Sequence, residues 1–534
     1  MPNLPIAIIS VLSIFLPLFC KPTFKKLCTL FCGHVLCRGN RTVTEILKRL
    51  NLRNIKNYSK YHDFFKKDRW SSLGASKQLF LNLANQVPGE LVILVDSTVE
   101  RRKGPKIKSL GKQRDAVRST KSNKVLVTGI HWLIFSIGIK FPWCNRTWAT
   151  PFLSIPMPPE EPLSSSTNKK DIQKRTKKAH LKEAKNHSEK AKAHIEKAEK
   201  HSEKAIKKYE SAKKHIKKSE KYIEEAKKHR KEAEKHTKEA KKHTEEAEKH
   251  KKEAEKYPVV KRHKTMTNYV CQVVKLLSKW LPGRKITIVG DSAFATYALA
   301  NTCIKNNIGL VSRMRVDART FKFPDASKGR GRKKIVGDRL PTFKEMSEDP
   351  STPWEDMEVD WYSESKKKLQ VISGICLWYG YGIKPVPIKW VLTRESKDND
   401  TVTVLFSTDI EMTKETIIKI FVSRWSLEVT FEESRRHLGM ETQRQWSDKA
   451  IERTTPCILA SYSVVNLVVL ESLKMSEKTI PIQKSSWYKK ESVTFSDVLA
   501  YLRREILKET FASVEQNPDV ADLITEFIEQ MSAA

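Results

Sequence analysis

Hydrophobic residues follow two rhythms along this chain. Continuous aliphatic runs mark buried strands, and apolar positions spaced by three and four mark amphipathic helices. The helical rhythm governs residues 1–88. There, residues 41–52 form a short amphipathic stretch, 57–65 mix aromatics with bases, and 70–87 complete the region. The texture changes at Glu90. Residues 91–95 (LVILV) predict a buried strand that runs into Asp96. Residues 124–130 and 132–139 predict two more strands paired as a hairpin-like meander, and the prolines of 156–162 mark a break.

Further along, 265–280 predict an amphipathic helix, and 286–290 (ITIVG) a second strand, this one running into Asp291. A helix over 297–306 and a strand over 309–316 follow. Residues 317–410 read as a β-rich insert, with strand-like runs at 369–378, 389–394 and 401–407 and a basic Gly-rich loop at 328–334. Residues 421–439 (FVSRWSLEVTFEESRRHLG) read as one helix, and 451–534 as helical over 458–473, 495–506 and 520–531.

Residues 170–257 are a different object. Histidine recurs every seven residues at His180, His187, His194 and His201, then at His215, His229, His236, His243 and His250. Tyr222 and Tyr257 take the same place in the series, and position 208 is Lys. Alanine, with Ser219 once, recurs between them, so the spacing alternates three and four as in a coiled-coil seam. Ala and His are weak seam residues where Leu is usual. The plain expectation is a long solvated helix of about 130 Å, favoured by Ala, Glu and Lys. A metal-binding histidine ladder is the sharper reading. Histidines seven apart lie about 10 Å apart along one helix, too far to share an ion without a partner chain. The tract reads as an insertion, because strands precede it and a helix-then-strand unit resumes after it.

Composition adds a partner class. The chain has 534 residues and a formal net charge of +38. Residues 169–257 hold 32 Lys+Arg against 18 Asp+Glu, and the other segments carry the remaining +24. So broad a surplus favours a polyanion, most simply nucleic acid. Nine cysteines scattered in apolar surroundings fit a reducing compartment. Cys28, Cys32 and Cys37 with His34 do not follow a recognised zinc spacing. Residues 4–20 are uncharged and mostly apolar, but Lys21, Lys25 and Lys26 follow rather than precede them, the wrong flank for secretion. Pro5 and Pro17 interrupt a stretch already short for a span, so a buried N-terminal helix is expected and no membrane partner.

The candidate chemistry lies in three carboxylates. Asp96 and Asp291 each end an aliphatic run, and Glu428 stands four residues after Arg424 and seven before Arg435. On one helix those three share a side, with Phe421 a turn further back. Two strand-end aspartates and a helix glutamate can hold two Mg²⁺ or Mn²⁺ ions for in-line attack on a phosphodiester. Arg424 and Arg435 match phosphate geometry. Each strand-end Asp alone is a weak signal; their order with the helix glutamate is more specific.

That order resembles DDE-type insertion-sequence transposases with an RNase H-like, retroviral-integrase-like catalytic fold. The nearest likeness is to the bacterial branch marked by Tyr-x2-Arg-x3-Glu-x6-Lys, here Phe421-x2-Arg424-x3-Glu428-x6-Arg435. Phe replaces Tyr, so a phenolic hydroxyl is missing, and Arg replaces Lys, keeping the charge. VDST around Asp96 and GDSAF around Asp291 resemble the first two acidic motifs. The resemblance covers about residues 15–160 and 260–470. It implies an α/β fold with an RNase H-like mixed sheet flanked by helices, and cleavage at terminal inverted repeats followed by strand transfer. It also implies catalysis by Asp96, Asp291 and Glu428 with two metal ions, DNA contacts from Phe421, Arg424 and Arg435, and a homodimer holding both DNA ends. A cytoplasmic, nucleoid-associated bacterial protein would follow.

The expected organisation is a helical DNA-end-binding region over 1–88, catalytic segments over 89–162 and 263–450, the heptad insertion over 163–262 and a C-terminal helical region over 451–534. Three other readings remain beside it. One is an inactive or domesticated DNA-binding relative. Another is a metal-dependent nuclease without strand transfer. The last is a structural protein whose working part is the heptad tract, with the rest as scaffold.

Overall fold

The structure is a computed structural model that describes residues 4–114, 119–120, 123, 125–159, 169–214, 219–255, 265–325, 333–360, 366–395, 398–487, 489–511, 524–525, 527–528 and 531–532. The predicted Gly-rich loop at 328–334 and helix at 520–531 fall mostly outside these residues. The chain divides into two compact units, Met1–Leu163 with Lys264–Ala534, and Ser164–His263.

The larger unit begins with helices α1 (Ile6–Leu12), α2 (Lys21–Leu36), α3 (Val43–Arg49), α4 (Ser59–Lys66) and α5 (Ser72–Asn85). Thr42 and Ser71 cap α3 and α5 by accepting the Glu45 and Gly74 backbone N–H groups. The apolar N-terminus is α1 followed by a 3-10 turn, Ser13–Leu18, that contains Pro17. It is buried on one side only: Ile8 and Leu12 are enclosed, while Ile6 stays 74% exposed.

Four strands follow: β1 (Leu91–Arg101), β2 (Gly111–Arg114), β3 (Leu126–Lys140) and β4 (Thr147–Met157). The two strands expected at 124–130 and 132–139 are one strand, β3. Nothing near His131 supplies turn chemistry, and the hairpin instead closes beyond Lys140 onto β4. Pro151 and Pro156 hid β4 in the sequence. They are tolerated because β4 is an edge strand paired only with β3. At Gly129 a Cβ would stand 2.5 Å from the Glu100 carbonyl oxygen, so the close β1–β3 approach there requires glycine.

The smaller unit holds α6 (Lys169–Lys214) and α7 (Ser219–Glu255). The expected single long helix is therefore two helices, and they pack antiparallel. His187 meets His243, His194 meets His236 and His201 meets His229. Ala184, Ala191, Ala205, Ala226, Ala233, Ala240 and Ala247 are buried between them. The same Ala/His face repeats in both halves, so each half supplies the surface the other needs.

The larger unit resumes with α8 (Met266–Trp280), β5 (Ile286–Gly290), α9 (Tyr297–Lys305), β6 (Gly309–Met314), β7 (Thr320–Phe321), α10 (Phe343–Glu348) and β8 (Glu355–Asp360). Then come β9 (Lys366–Trp378), β10 (Val386–Glu395), β11 (Asp398–Ser407), α11 (Lys414–Ser423), α12 (Ser426–His437), α13 (Asp448–Ser476) and α14 (Phe495–Phe511). All the strands join one sheet in the order β2-β3-β1-β5-β6-β11-β10-β9-β7, with β4 on β3 and β8 on β9. β1 runs antiparallel to β3 and parallel to β5, and β5 runs parallel to β6. The fold is the expected α/β class, a mixed sheet flanked by helices. The β-rich stretch before the glutamate helix is no separate block, since β11 pairs with β6 and extends the sheet. Among the described residues α13 alone is long and apolar enough to cross a membrane. It is a core helix here: Leu459, Val465, Val468 and Val469 are fully enclosed, and Ser463 donates to the Pro151 carbonyl of β4.

Candidate active site

The position of the two aspartates follows from strand register. β1 and β5 pair in parallel from Leu91 opposite Ile286 to Leu94 opposite Val289. The same offset carries Asp96 alongside Asp291. Leu91, Ile93, Leu94 and Val95 are fully buried, so burial of the aliphatic run pins the register that sets the two acids side by side. Backbone groups orient both carboxylates. Asp96 Oδ1 accepts the Ser97 N–H at 2.7 Å, and Asp291 Oδ1 accepts the Ala293 N–H at 3.0 Å, capping the short turn after β5.

Glu428 arrives from a broken helix. The helix expected over 421–439 is divided at Arg424–Trp425 into α11 and α12. The Arg424, Trp425 and Leu427 N–H groups bond to carbonyls three residues back, the tight pattern of a 3-10 joint. Phe421 therefore belongs to α11, Arg424 stands at the joint, and Glu428 and Arg435 lie on α12. From the joint, Arg424 Nη1 donates to Asp96 Oδ2 at 2.5 Å, and Nη2 lies 3.6 Å from Glu428 Oε1. The Phe421 ring centroid is 6.0 Å from the guanidinium carbon. Arg424 thus bridges Asp96 and Glu428, Asp291 ends the strand beside Asp96, and the Phe421 ring lies next to Arg424.

Arg435 does not join that cluster. Its Nη2 donates to Thr98 Oγ1 at 2.6 Å and to the Val99 carbonyl at 3.3 Å, and its Nε donates to Glu441 at 3.1 Å. It braces α12 against β1 beyond Asp96.

The electrostatics are those of an anionic site. Burial raises the Asp96 carboxyl above its ordinary range; Arg424 opposes that shift and the Asp291 charge adds to it. Glu428 is also raised, by burial first and by Asp96, again against Arg424. One guanidinium does not balance Asp96 with Glu428 and Asp291 on either side of it, so a further cation would be stabilised here. The donors are all carboxylate oxygens, the ligand type of Mg²⁺ and Mn²⁺.

Residues 15–205 match the family described as DDE superfamily endonuclease. That span is under half of the chain; it contains Asp96 and stops before Asp291 and Glu428. Among solved structures, a piggyBac transposase synaptic complex with hairpin DNA aligns over 97% of this chain and 80% of that one. The identity is 10% and the TM-score 0.33, so the two agree only loosely and the site is read from its own geometry. No curated protein matches the chain.

Two features of the site's surroundings have no counterpart among the sequence expectations. The first is a buried polar knot behind the site. Glu100 on β1 is fully enclosed and lies 3.2 Å from Arg102, accepts from Trp132 Nε1 at 2.7 Å and from Thr455 Oγ1 at 2.9 Å. Arg102 donates onward to the Gln443 and Gln445 carbonyls. Strand alternation offered a signal, since a Glu four residues after Asp96 faces the same side of β1. The second is a groove lined by Arg101, Lys103, Lys106, Arg444 and Trp446. The Trp446 ring carries the Lys66 and Lys106 ammonium groups at 5.5 and 5.4 Å. Its first half was visible as the basic loop after β1; its second half comes from the segment after α12.

Proposed function

We propose that this chain is a DNA transposase that cuts at the terminal repeats of its element and joins the freed 3′-hydroxyl ends to target DNA. The observation that carries the reading is that Arg424 bridges Asp96 and Glu428 while Asp291 ends the strand beside Asp96. Asp96, Asp291 and Glu428 would hold two Mg²⁺ or Mn²⁺ ions, which when bound supply Lewis acidity and ease deprotonation of the attacking water or hydroxyl. The chain's own residues do the positioning. Arg424 fixes the Asp96 carboxylate and keeps Glu428 turned toward it. Arg435 holds α12 on β1, so that Glu428 stays in reach of the strand ends. The basic groove with Trp446 gives a phosphate backbone a path along the protein, and its charge fits double-stranded DNA. The relation to the Tyr-Arg-Glu-Lys branch, action as a homodimer on paired DNA ends and a nucleoid location belong to the same proposal.

A second reading has its own observation. Arg424 already gives Asp96 and Glu428 a cation, and a chain in which it stays there would bind DNA without cutting. The test is Mg²⁺-dependent cleavage of a duplex bearing the end of the flanking element, wild type against Glu428→Ala. Cutting by wild type alone, with equal DNA binding by both, supports the transposase. Binding without cutting by both, in Mg²⁺ and Mn²⁺, replaces it with the second reading. Cutting without end joining leaves a nuclease.

A further inference from the structure

The histidines of the smaller unit form a continuous stack. Ring centroids step from His250 to His187 at 5.7 Å, to His243 at 5.3 Å, to His194 at 5.6 Å and to His236 at 5.4 Å. The stack continues to His201 at 5.7 Å and His229 at 5.5 Å, passing between α6 and α7 at each step. The antiparallel pairing provides what one helix lacks: an imidazole from a second helix opposite His187, His194 and His201.

Two rungs also recruit a carboxylate. His187 Nδ1 and His243 Nδ1 are 3.1 Å apart, and Glu246 Oε2 lies 2.9 Å from the first and 3.3 Å from the second. One heptad along, His194 Nδ1 and His236 Nδ1 are 3.2 Å apart, and Glu239 Oε2 lies 3.0 and 3.6 Å from them. In both rungs the carboxylate stands three residues after the α7 histidine, one helical turn on and on the same face. A four-coordinate ion with nitrogen and oxygen ligands at about 2.0–2.1 Å has neighbouring donors about 3.3 Å apart. Both triads have that edge length. Their side chains keep a route to solvent, since His187 and His243 are 19% and 22% exposed and Glu246 is 38% exposed.

We propose that this helical hairpin is a divalent-cation site of the zinc class, with one ion held by His187, His243 and Glu246 and a second by His194, His236 and Glu239. Imidazole and carboxylate donors suit Zn²⁺, Co²⁺ and Ni²⁺ better than Mg²⁺. Three protein ligands leave a fourth position for water. The role that follows is a clamp. Each ion ties one residue of α6 to two of α7, replacing the large aliphatic contacts that the Ala/His seam lacks. Without an ion, His–His and His–Glu contacts would hold the same rungs. The site is independent of the carboxylates Asp96, Asp291 and Glu428.

The test uses the full chain carrying Asp291→Asn and Glu428→Gln, stripped with chelator, so that the carboxylate site does not compete. Zn²⁺ is titrated by calorimetry at pH 7.5, and Co²⁺ by visible absorption. The expected result is about two equivalents per chain, tetrahedral Co²⁺ bands and a higher melting temperature of the helical signal with Zn²⁺. His194→Ala with His236→Ala should lose one equivalent. Glu239→Gln with Glu246→Gln preserves side-chain shape, so it reads the site even where the histidine variant loosens the hairpin; it should weaken binding at least ~10-fold with helix content unchanged. No saturable binding, or binding unmoved by the Glu→Gln pair, overturns the proposal and leaves a hairpin held by its Ala/His packing and hydrogen bonds.

Discussion

The sheet site and the histidine hairpin both gather cation-seeking groups, and they do so by opposite means. Asp96, Asp291 and Glu428 come from segments more than a hundred residues apart, and each is carried by a different element of the fold. The hairpin repeats one seven-residue unit, and its groups converge because a copy of the unit faces another copy. Convergence across the fold produces one site of fixed composition, set in a core that resists change. Convergence by repetition produces a series of similar sites on a weak seam of small residues. The first should therefore tolerate almost no substitution, and the second should degrade one rung at a time.

The largest effect expected is at Asp291. Asparagine keeps the cap on the Ala293 N–H but removes the charge, so Asp291→Asn should lower single-turnover DNA cleavage by at least ~10³-fold with an unchanged melting temperature. A variant that cuts within tenfold of wild type would remove the sheet site from the comparison.

Next comes the knot behind it. Glu100→Ala strands Arg102 in a buried position, and urea unfolding should show a loss of about 3–5 kcal/mol. A loss below ~1 kcal/mol, the range of a surface pair, would mean that the fixed elements around Asp96 owe little to this network.

The groove should respond more gently. Lys106→Ala and Arg444→Ala should each flatten the dependence of log DNA affinity on log salt, by about 0.9 for every phosphate left without its cation, measured by fluorescence anisotropy. Unchanged slopes would place DNA elsewhere.

The smallest effect is one of sign. The Glu428 carboxyl is raised above its ordinary range, so the folded state binds its proton more tightly than the unfolded chain does. Its contribution is favourable at low pH and declines as pH rises from the ordinary carboxylate range through the raised value. Above that window the charged form is a small burden. Glu428→Gln should then melt slightly higher than wild type at pH 7.5 without metal, and the gap should close in Mg²⁺. A lower melting temperature for the variant would show that the Arg424 contact outweighs burial.

Much of the sheet site could be read from the sequence because its signals are local. An aliphatic run ending in Asp announces both a buried strand and the acid at its end, twice. The break at Arg424–Trp425 could not be read, since neither residue is a helix breaker and periodicity continues across it. Its consequence is that Arg424 reaches back to Asp96 while Arg435 turns to Thr98, a division of labour that one straight helix did not predict. β4 was hidden by prolines that only an edge position tolerates. In the hairpin every heptad was visible, and the fold-back was not. The Ala/His face is the same in both halves, so the pattern alone does not distinguish one long helix from two that face each other. Histidines seven apart on one helix still lie too far apart to share an ion; the second helix is what closes the distance.

The repeated rungs also bear on how the insertion can change in length. The paired histidines, His187 with His243, His194 with His236 and His201 with His229, stay in step if one seven-residue unit is added to or deleted from each arm. A duplication or loss of whole units in the coding sequence, twenty-one nucleotides for each unit, would lengthen or shorten the ladder without disturbing the rungs that remain. Lys208, which takes a histidine's place and pairs with Glu225, marks one rung as unlike the others and so gives the two arms a common reference point. The insertion is in that sense a ruler cut in heptads, and copies of this gene should differ in tract length by steps of fourteen residues, seven in each arm, while Asp96, Asp291 and Glu428 stay where the sheet holds them.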